Sequence, residues 1–107
     1  PAITAPANTL VIKPTTNATT AIQIDDKDSA VILNVDTSSK NVGLGQTTFG
    51  TSAVKVLAIG EGTAPSAVVT DAVQLWAANR DGVAGDERLH IMGEKSTAYV
   101  ILGDGQI

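Results

Sequence analysis

The chain has 107 residues and a mass of 10.9 kDa, enough for one small domain and too little for two independent cores. Apolar residues make up 43% of it and aromatics only 3%, namely Phe49, Trp76 and Tyr99, so the core must come from small and β-branched side chains or be shared with other chains. With no Cys there are no disulfides or thiolate sites, with one His there is no multi-histidine metal site in a single chain, and a net charge of −4 argues against nucleic acid, which calls for clustered Lys and Arg.

Residues 1–19 form an extended lead-in holding three of the four prolines, with Leu10-Val11-Ile12 as one short expected strand. The lead-in has neither the basic stretch nor the apolar stretch of a signal peptide, and the absence of an initiating Met suggests a processed chain or an excerpt. No apolar run approaches the ~20 residues of a spanning helix, so membrane insertion is not expected.

Residues 20–50 carry a first hairpin and a Gly-rich repeat. Thr20, Ile22 and Ile24 alternate with Ala21, Gln23 and Asp25; beyond the polar break Asp25–Asp28, the residues Ser29, Val31, Leu33 and Val35 alternate with Ala30, Ile32, Asn34 and Asp36. Two period-two runs across a short polar loop predict a β-hairpin. A second break at residues 37–41 leads to Val42-Gly43-Leu44-Gly45, whose spaced glycines suggest a close backbone approach or a bend rather than a long strand.

Residues 51–107 form a second β-meander unit. Ala53–Ile59 alternates again, and residues 60–66 are a loop by composition. Ala72–Asn79 has helix-favouring Ala, Gln and Leu behind a possible Asp71 cap, but it is short, lacks a helical stripe and repeats the Ala21–Ile24 pattern, so strand is the better reading. Glu87–Met92 and Thr97–Leu102 flank the turn Gly93–Ser96 as a last hairpin, and Val100–Leu102 echoes Val31–Leu33. The halves look like diverged copies of one strand–turn–strand unit.

A strand pair of this kind offers about three to four aliphatic side chains, each worth roughly 1.5–3 kcal/mol when fully buried. Ordering the backbone costs about 1–2 kcal/mol per residue. Packing identical strands from neighbouring chains around an axis would bury these faces, and crowding there favours Gly, Ala, Val and Thr. The oligomer-core candidates are Ile22, Ile24, Val31, Leu33, Val35, Val73, Leu75, Leu89, Ile91, Val100 and Leu102. The expected class is all-β, with short strands in a repetitive assembly of several chains.

Leu33-Asn34-Val35-Asp36-Thr37 followed by Asn41-Val42-Gly43-Leu44-Gly45-Gln46-Thr47-Thr48 resembles the Gly-rich repeats of bacteriophage tail fibres and related virion appendages. Asp71–Trp76 with Leu89–Ile91 is similar to the β-meanders that accompany them, and Leu102–Ile107 to the approach of another repeat. Leu44-Gly45-Gln46 stands where Ile-Gly-Thr is commoner. The resemblance covers roughly residues 20–107 and contains no catalytic motif. It implies an all-β, intertwined homotrimeric fibre shaft resembling a β-prism or triple β-helix, other virion or fibre proteins as partners, and a place at the virion surface or outside the cell.

The remaining chemistry-bearing residues have plain alternatives. Asp25, Asp26 and Asp28 could offer oxygens to Ca²⁺, but Lys27 interrupts them and a calcium loop needs more ligands at set spacing; a solvated loop is expected, as for Asp81-Gly82 with Asp86-Glu87. His90 on a threefold axis could meet its copies at a metal, though a surface or interface histidine is the simpler expectation. Ser-His-Asp chemistry lacks its nucleophile elbow, Gly43/Gly45 lacks the third glycine of a phosphate loop, and any acidic chain supplies chance carboxylate pairs. Asn17-Ala18-Thr19 fits a glycosylation acceptor, relevant only to a eukaryotic secreted chain. Trp76 and Tyr99 are the residues for a glycan or interface contact, an anchor role being the expected one for Trp76. No enzyme activity or cofactor is expected. A structural virion-fibre component is the leading reading; the others are a carbohydrate- or receptor-binding β-module and a prokaryotic surface-filament subunit joined by strand exchange.

Overall fold

The computed structural model describes residues 8–80, 84–95 and 98–101, and these residues are all-β. The first sheet has the order β1-β2-β3-β4, with β1 at Ile22–Asp25, β2 at Val31–Asp36, β3 at Asn41–Leu44 and β4 at Leu57–Ile59. The second has the order β5-β6-β7, with β5 at Gln74–Asn79, β6 at Glu87–Met92 and β7 at Ala98–Ile101. Among the described residues no helix is long and apolar enough to cross a membrane.

The alternating pattern around residues 20–36 forms the expected hairpin. Its tip closes because one short side chain does the work of a turn: Asp26 Oδ1 accepts from the amides of Asp28 at 2.8 Å and Ala30 at 2.9 Å. This lets Ser29 take a left-handed φ of 68°, and such side-chain-to-backbone bonding is why Asp favours turns. The next reversal uses the same device, with Asp36 Oδ1 accepting from Ser38 N and Ser39 N at 2.9 and 3.0 Å before Lys40 turns at a φ of 65°.

The Val42–Gly45 segment joins the sheet as the short strand β3 and ends at Gly45, whose φ is 63°. An added Cβ at Gly43 would overlap the Gln46 carbonyl oxygen, so this glycine permits the close approach its spacing suggested. Residues 45–56 then carry the chain over to β4, which pairs parallel to β3, as a connection of this length allows. The alternation over Ala53–Ile59 predicts a longer strand than forms: Lys55 has a φ of 60°, and the ladder includes only Leu57–Ile59.

Two other expectations need correction or refinement. Leu10-Val11-Ile12 forms no strand; it is unpaired and exposed, because β-propensity gives no ladder without a partner edge. The segment at residues 72–79 is a strand, as its repeat of Ala21–Ile24 suggested, and begins at Gln74.

The last hairpin also forms. Register runs from Trp76 to His90 to Val100, and from Leu75 to Ile91 to Tyr99. Both sheets thus contain a three-strand antiparallel meander, β1-β2-β3 and β5-β6-β7. The sequence echo does not follow this topology, because Val31–Leu33 lies in a second strand and Val100–Ile101 in a third. Among the described residues, the sheets meet edge to edge through one parallel bridge, Glu61 to Ala77, with Gly62 N donating to Ala77 O at 2.7 Å.

Candidate functional site

The first sheet separates its side chains in an unusual sense. Register aligns Ile22, Val35, Val42 and Leu57 across four strands, and Ile24, Leu33, Leu44 and Ile59 in the neighbouring row. These rows are the main apolar surface of the sheet, yet Ile24, Leu44 and Leu57 are 53%, 42% and 59% exposed. The opposite face holds Asn34, Asp36 and Asn41, which are 0%, 3% and 1% exposed. An ordinary half-buried sheet does the reverse, with aliphatic side chains inward and polar ones in water.

Each buried polar side chain is hydrogen-bonded, which is what makes its burial tolerable. Asn34 Oδ1 accepts from Gln23 Nε2 at 3.3 Å and its Nδ2 donates to Thr19 O at 3.1 Å, tying the lead-in to β2. Asn41 Nδ2 donates to Ala53 O at 3.1 Å, and its Oδ1 accepts from Val56 N at 2.8 Å. A longer contact of 3.5 Å runs from Asn41 Nδ2 to Asp36 Oδ2. One asparagine thereby holds the returning segment that delivers β4 to β3. The most recognisable positions of the sequence pattern, Asn34, Asp36, Asn41 and Gly43, all have such local structural tasks. A polar hollow of about 370 Å³ lies beside them, lined by Asp36, Asn41, Phe49 and the hydroxyl-bearing Thr19, Ser39 and Thr48, among others.

Trp76 sits in the second sheet at 7% exposure, and with Ala77 at 8% it supplies the buried apolar side chains among the described residues. Its ring stacks on His90 with centroids 5.3 Å apart and planes 22° from parallel, and His90 Nδ1 lies 3.0 Å from Arg88 O. Trp76 Nε1, Asn79 Oδ1 and Arg88 Nε are buried without a hydrogen-bond partner among the described residues. Trp76 is therefore an anchor within the chain rather than an open platform for a sugar ring. Tyr99 falls in the Leu75–Ile91 row, one position out of step with the Trp76–His90 row, so register does not align the two aromatics.

The acidic groups are similarly local. Asp26 closes the hairpin tip, and Lys27 Nζ lies 2.7 Å from Asp28 Oδ1 in an exposed pair. Asp86 bridges Arg80 Nε at 3.1 Å and Arg88 Nη2 at 2.6 Å; Asp81 and Gly82, the other half of that candidate loop, lie outside the described residues. Among the described residues no three His, Cys, Asp or Glu side chains come together in a way that could hold a metal ion.

Of the oligomer-core candidates, Ile22, Val31, Leu33, Val35, Leu89 and Ile91 are half-buried, whereas Ile24, Val73 and Leu75 are 53%, 60% and 54% exposed. Val73 precedes β5, Val100 has a strand position in β7, and Leu102 lies outside the described residues. Sequence reasoning missed Val42, Leu44, Leu57 and Ile59 as members of the same face. Val42 and Leu44 join the face through the antiparallel β2–β3 pairing, and Leu57 and Ile59 through the parallel β3–β4 pairing, neither of which alternation along the chain reveals. Compared with protein-family models, curated proteins and solved structures, the chain matches none, and a functional reading rests on these residues and their geometry.

Proposed function

We propose that the chain is a structural component of a virus fibre, of the phage-like tail or head fibre shaft kind, working as a homotrimer at the virion surface. Its task is mechanical: it presents or positions a host-attachment element, and it contacts further fibre or virion proteins. The observation that carries this reading is the first sheet, with Asn and Asp side chains buried on one face and two continuous aliphatic rows, half-buried to exposed, across the other. A face of that composition favours association over exposure, since apolar burial contributes about 25 cal/mol per Å².

Three copies around an axis give each chain two neighbours, and the resemblance to tail-fibre repeats favours that number.

Sedimentation equilibrium of the purified chain tests the proposal. A mass of three chains is expected; a stable monomer with full β-structure overturns it. The glycan-binding alternative finds less support, because Trp76 is buried against His90.

A further inference from the structure

The polar hollow of the first sheet has a fixed wall. Asn41 holds Ala53 O and Val56 N, Lys55 N donates to Ser39 O at 3.0 Å, and Ala53 N donates to Gly50 O at 3.0 Å. Further back along the segment, Gln46 Nε2 donates to Thr48 O at 2.8 Å. Residues 46–56 are thus tied down along their length beside a space of about 370 Å³. Small-molecule sites, usually pre-formed, take roughly 300–1,000 Å³. Asp36 and Asn41 stand on the face away from the aliphatic rows, so contacts that cover those rows leave this space open.

The chemistry around that space is specific. Asp36 is 3% exposed, and its Oδ1 accepts from Ser38 N and Ser39 N. Among the described residues Oδ2 has one contact, Asn41 Nδ2 at 3.5 Å, which lies beyond the usual hydrogen-bond range. A carboxylate has about four acceptor sites, so Oδ2 keeps capacity for a donor from within the hollow. Around it stand the hydroxyls of Thr19, Ser39, Thr47, Thr48 and Ser52. Among the described residues Thr37 has the only side-chain hydroxyl in a hydrogen bond, so these five keep their donors and acceptors. Half-buried Phe49 adds an aromatic ring. Among the described residues no Lys or Arg lines the space, which disfavours an anion. A single carboxylate among neutral hydroxyls is also a poor holder of Ca²⁺, whose sites draw on several charged oxygens. A neutral sugar ring fits better. Its hydroxyls donate to a carboxylate and exchange hydrogen bonds with Ser and Thr, and its C–H face lies on the negative face of an aromatic ring.

We propose that the hollow binds a neutral saccharide, with a sugar hydroxyl donating to Asp36 Oδ2, further hydroxyls on the Ser and Thr rim, and the ring against Phe49. The site uses neither Trp76 nor Tyr99. Every residue in it belongs to one chain, so it does not rest on the homotrimer reading. In a trimer each chain presents one such site, and a repeating glycan that spans them gains the avidity of linked binding.

Titration of the isotope-labelled chain with neutral sugars (glucose, galactose, mannose and N-acetylglucosamine), followed by NMR, tests this. Saturable shifts centred on the amides of Ser38, Ser39 and residues 47–53 are expected, unchanged by EDTA. Asp36→Asn keeps an oxygen for the Ser38 and Ser39 amides but replaces the Oδ2 acceptor by a donor. It should weaken binding about tenfold, the size of a hydrogen bond to a charged group. Thr48→Val and Phe49→Ala should each weaken it several-fold, and they leave the Asp36 and Asn41 bonds in place should Asp36→Asn fail to fold. Binding to immobilised oligosaccharides as well as to free sugars makes a surface glycan the source, and binding to free sugars alone makes it a soluble sugar; both support the site. No saturable shift with any of the four sugars, shifts centred on Trp76, binding that needs added Ca²⁺, or binding that no variant weakens overturns it. Sedimentation of the same samples keeps the two ideas apart, since a monomer that binds sugar overturns the trimer alone.

Discussion

At the scale of single residues, the first sheet is organised by three buried polar side chains. Asn34, Asp36 and Asn41 together bind Thr19, Gln23, Ser38, Ser39, Ala53 and Val56, so each connects segments that β-pairing alone would leave apart. Asn41 has the clearest consequence, because Ala53 O and Val56 N both depend on it. Asn41→Ala leaves those backbone groups without their partner and should destabilise the fold by about 1–3 kcal/mol, measured by denaturant unfolding at fixed chain concentration. An unchanged midpoint shows that water replaces the side chain at no cost. The alternation in the sequence correctly sets Asn34 and Asp36 on the side away from the aliphatic set. Their burial is not legible there, because alternation tells which residues share a face and not which face is covered.

At the scale of elements, local signals suffice wherever pairing is local. The hairpins β1–β2 and β6–β7 are readable from two alternating runs and a polar turn, since the partner lies a few residues away. The parallel β3–β4 pair is not, because its register depends on the path of residues 45–56 and on the hold of Asn41. The aliphatic rows reach their fourth strand only through that pairing. Leu57 is the natural place to test them, being 59% exposed in the chain by itself. Leu57→Glu should leave the circular dichroism of the fold unchanged while sedimentation shows a shift from trimer to monomer. Retention of the trimer by this variant, despite the charge placed in the aliphatic row, means that β4 lies outside the interface. Leu10–Ile12 teaches the complementary lesson: three strand-favouring residues belong to no strand, because propensity by itself supplies no pairing partner.

At the scale of the whole molecule, stability and assembly should be linked. In the proposed homotrimer, a chain whose buried apolar side chains, among the described residues, are Trp76 and Ala77 would draw much of its folding free energy from its neighbours. Thermal unfolding should then shift to higher temperature as chain concentration rises, because association draws on the folded state only. Scanning calorimetry over a wide range of concentration measures this, and a constant Tm throughout shows that the chain is stable by itself. The sequence alone determined that the protein is all-β and poor in rings, where its hairpins turn, and which side chains alternate together; these follow from composition and from a period of two along the chain. Only the tertiary structure decided that Asn34, Asp36 and Asn41 are buried while the aliphatic rows stay half-buried or exposed, that the rows extend across four strands, and that Trp76 is buried. The physical reason is that burial belongs to surfaces brought together by non-local pairing, and a side chain's neighbours across a sheet are not its neighbours along the chain.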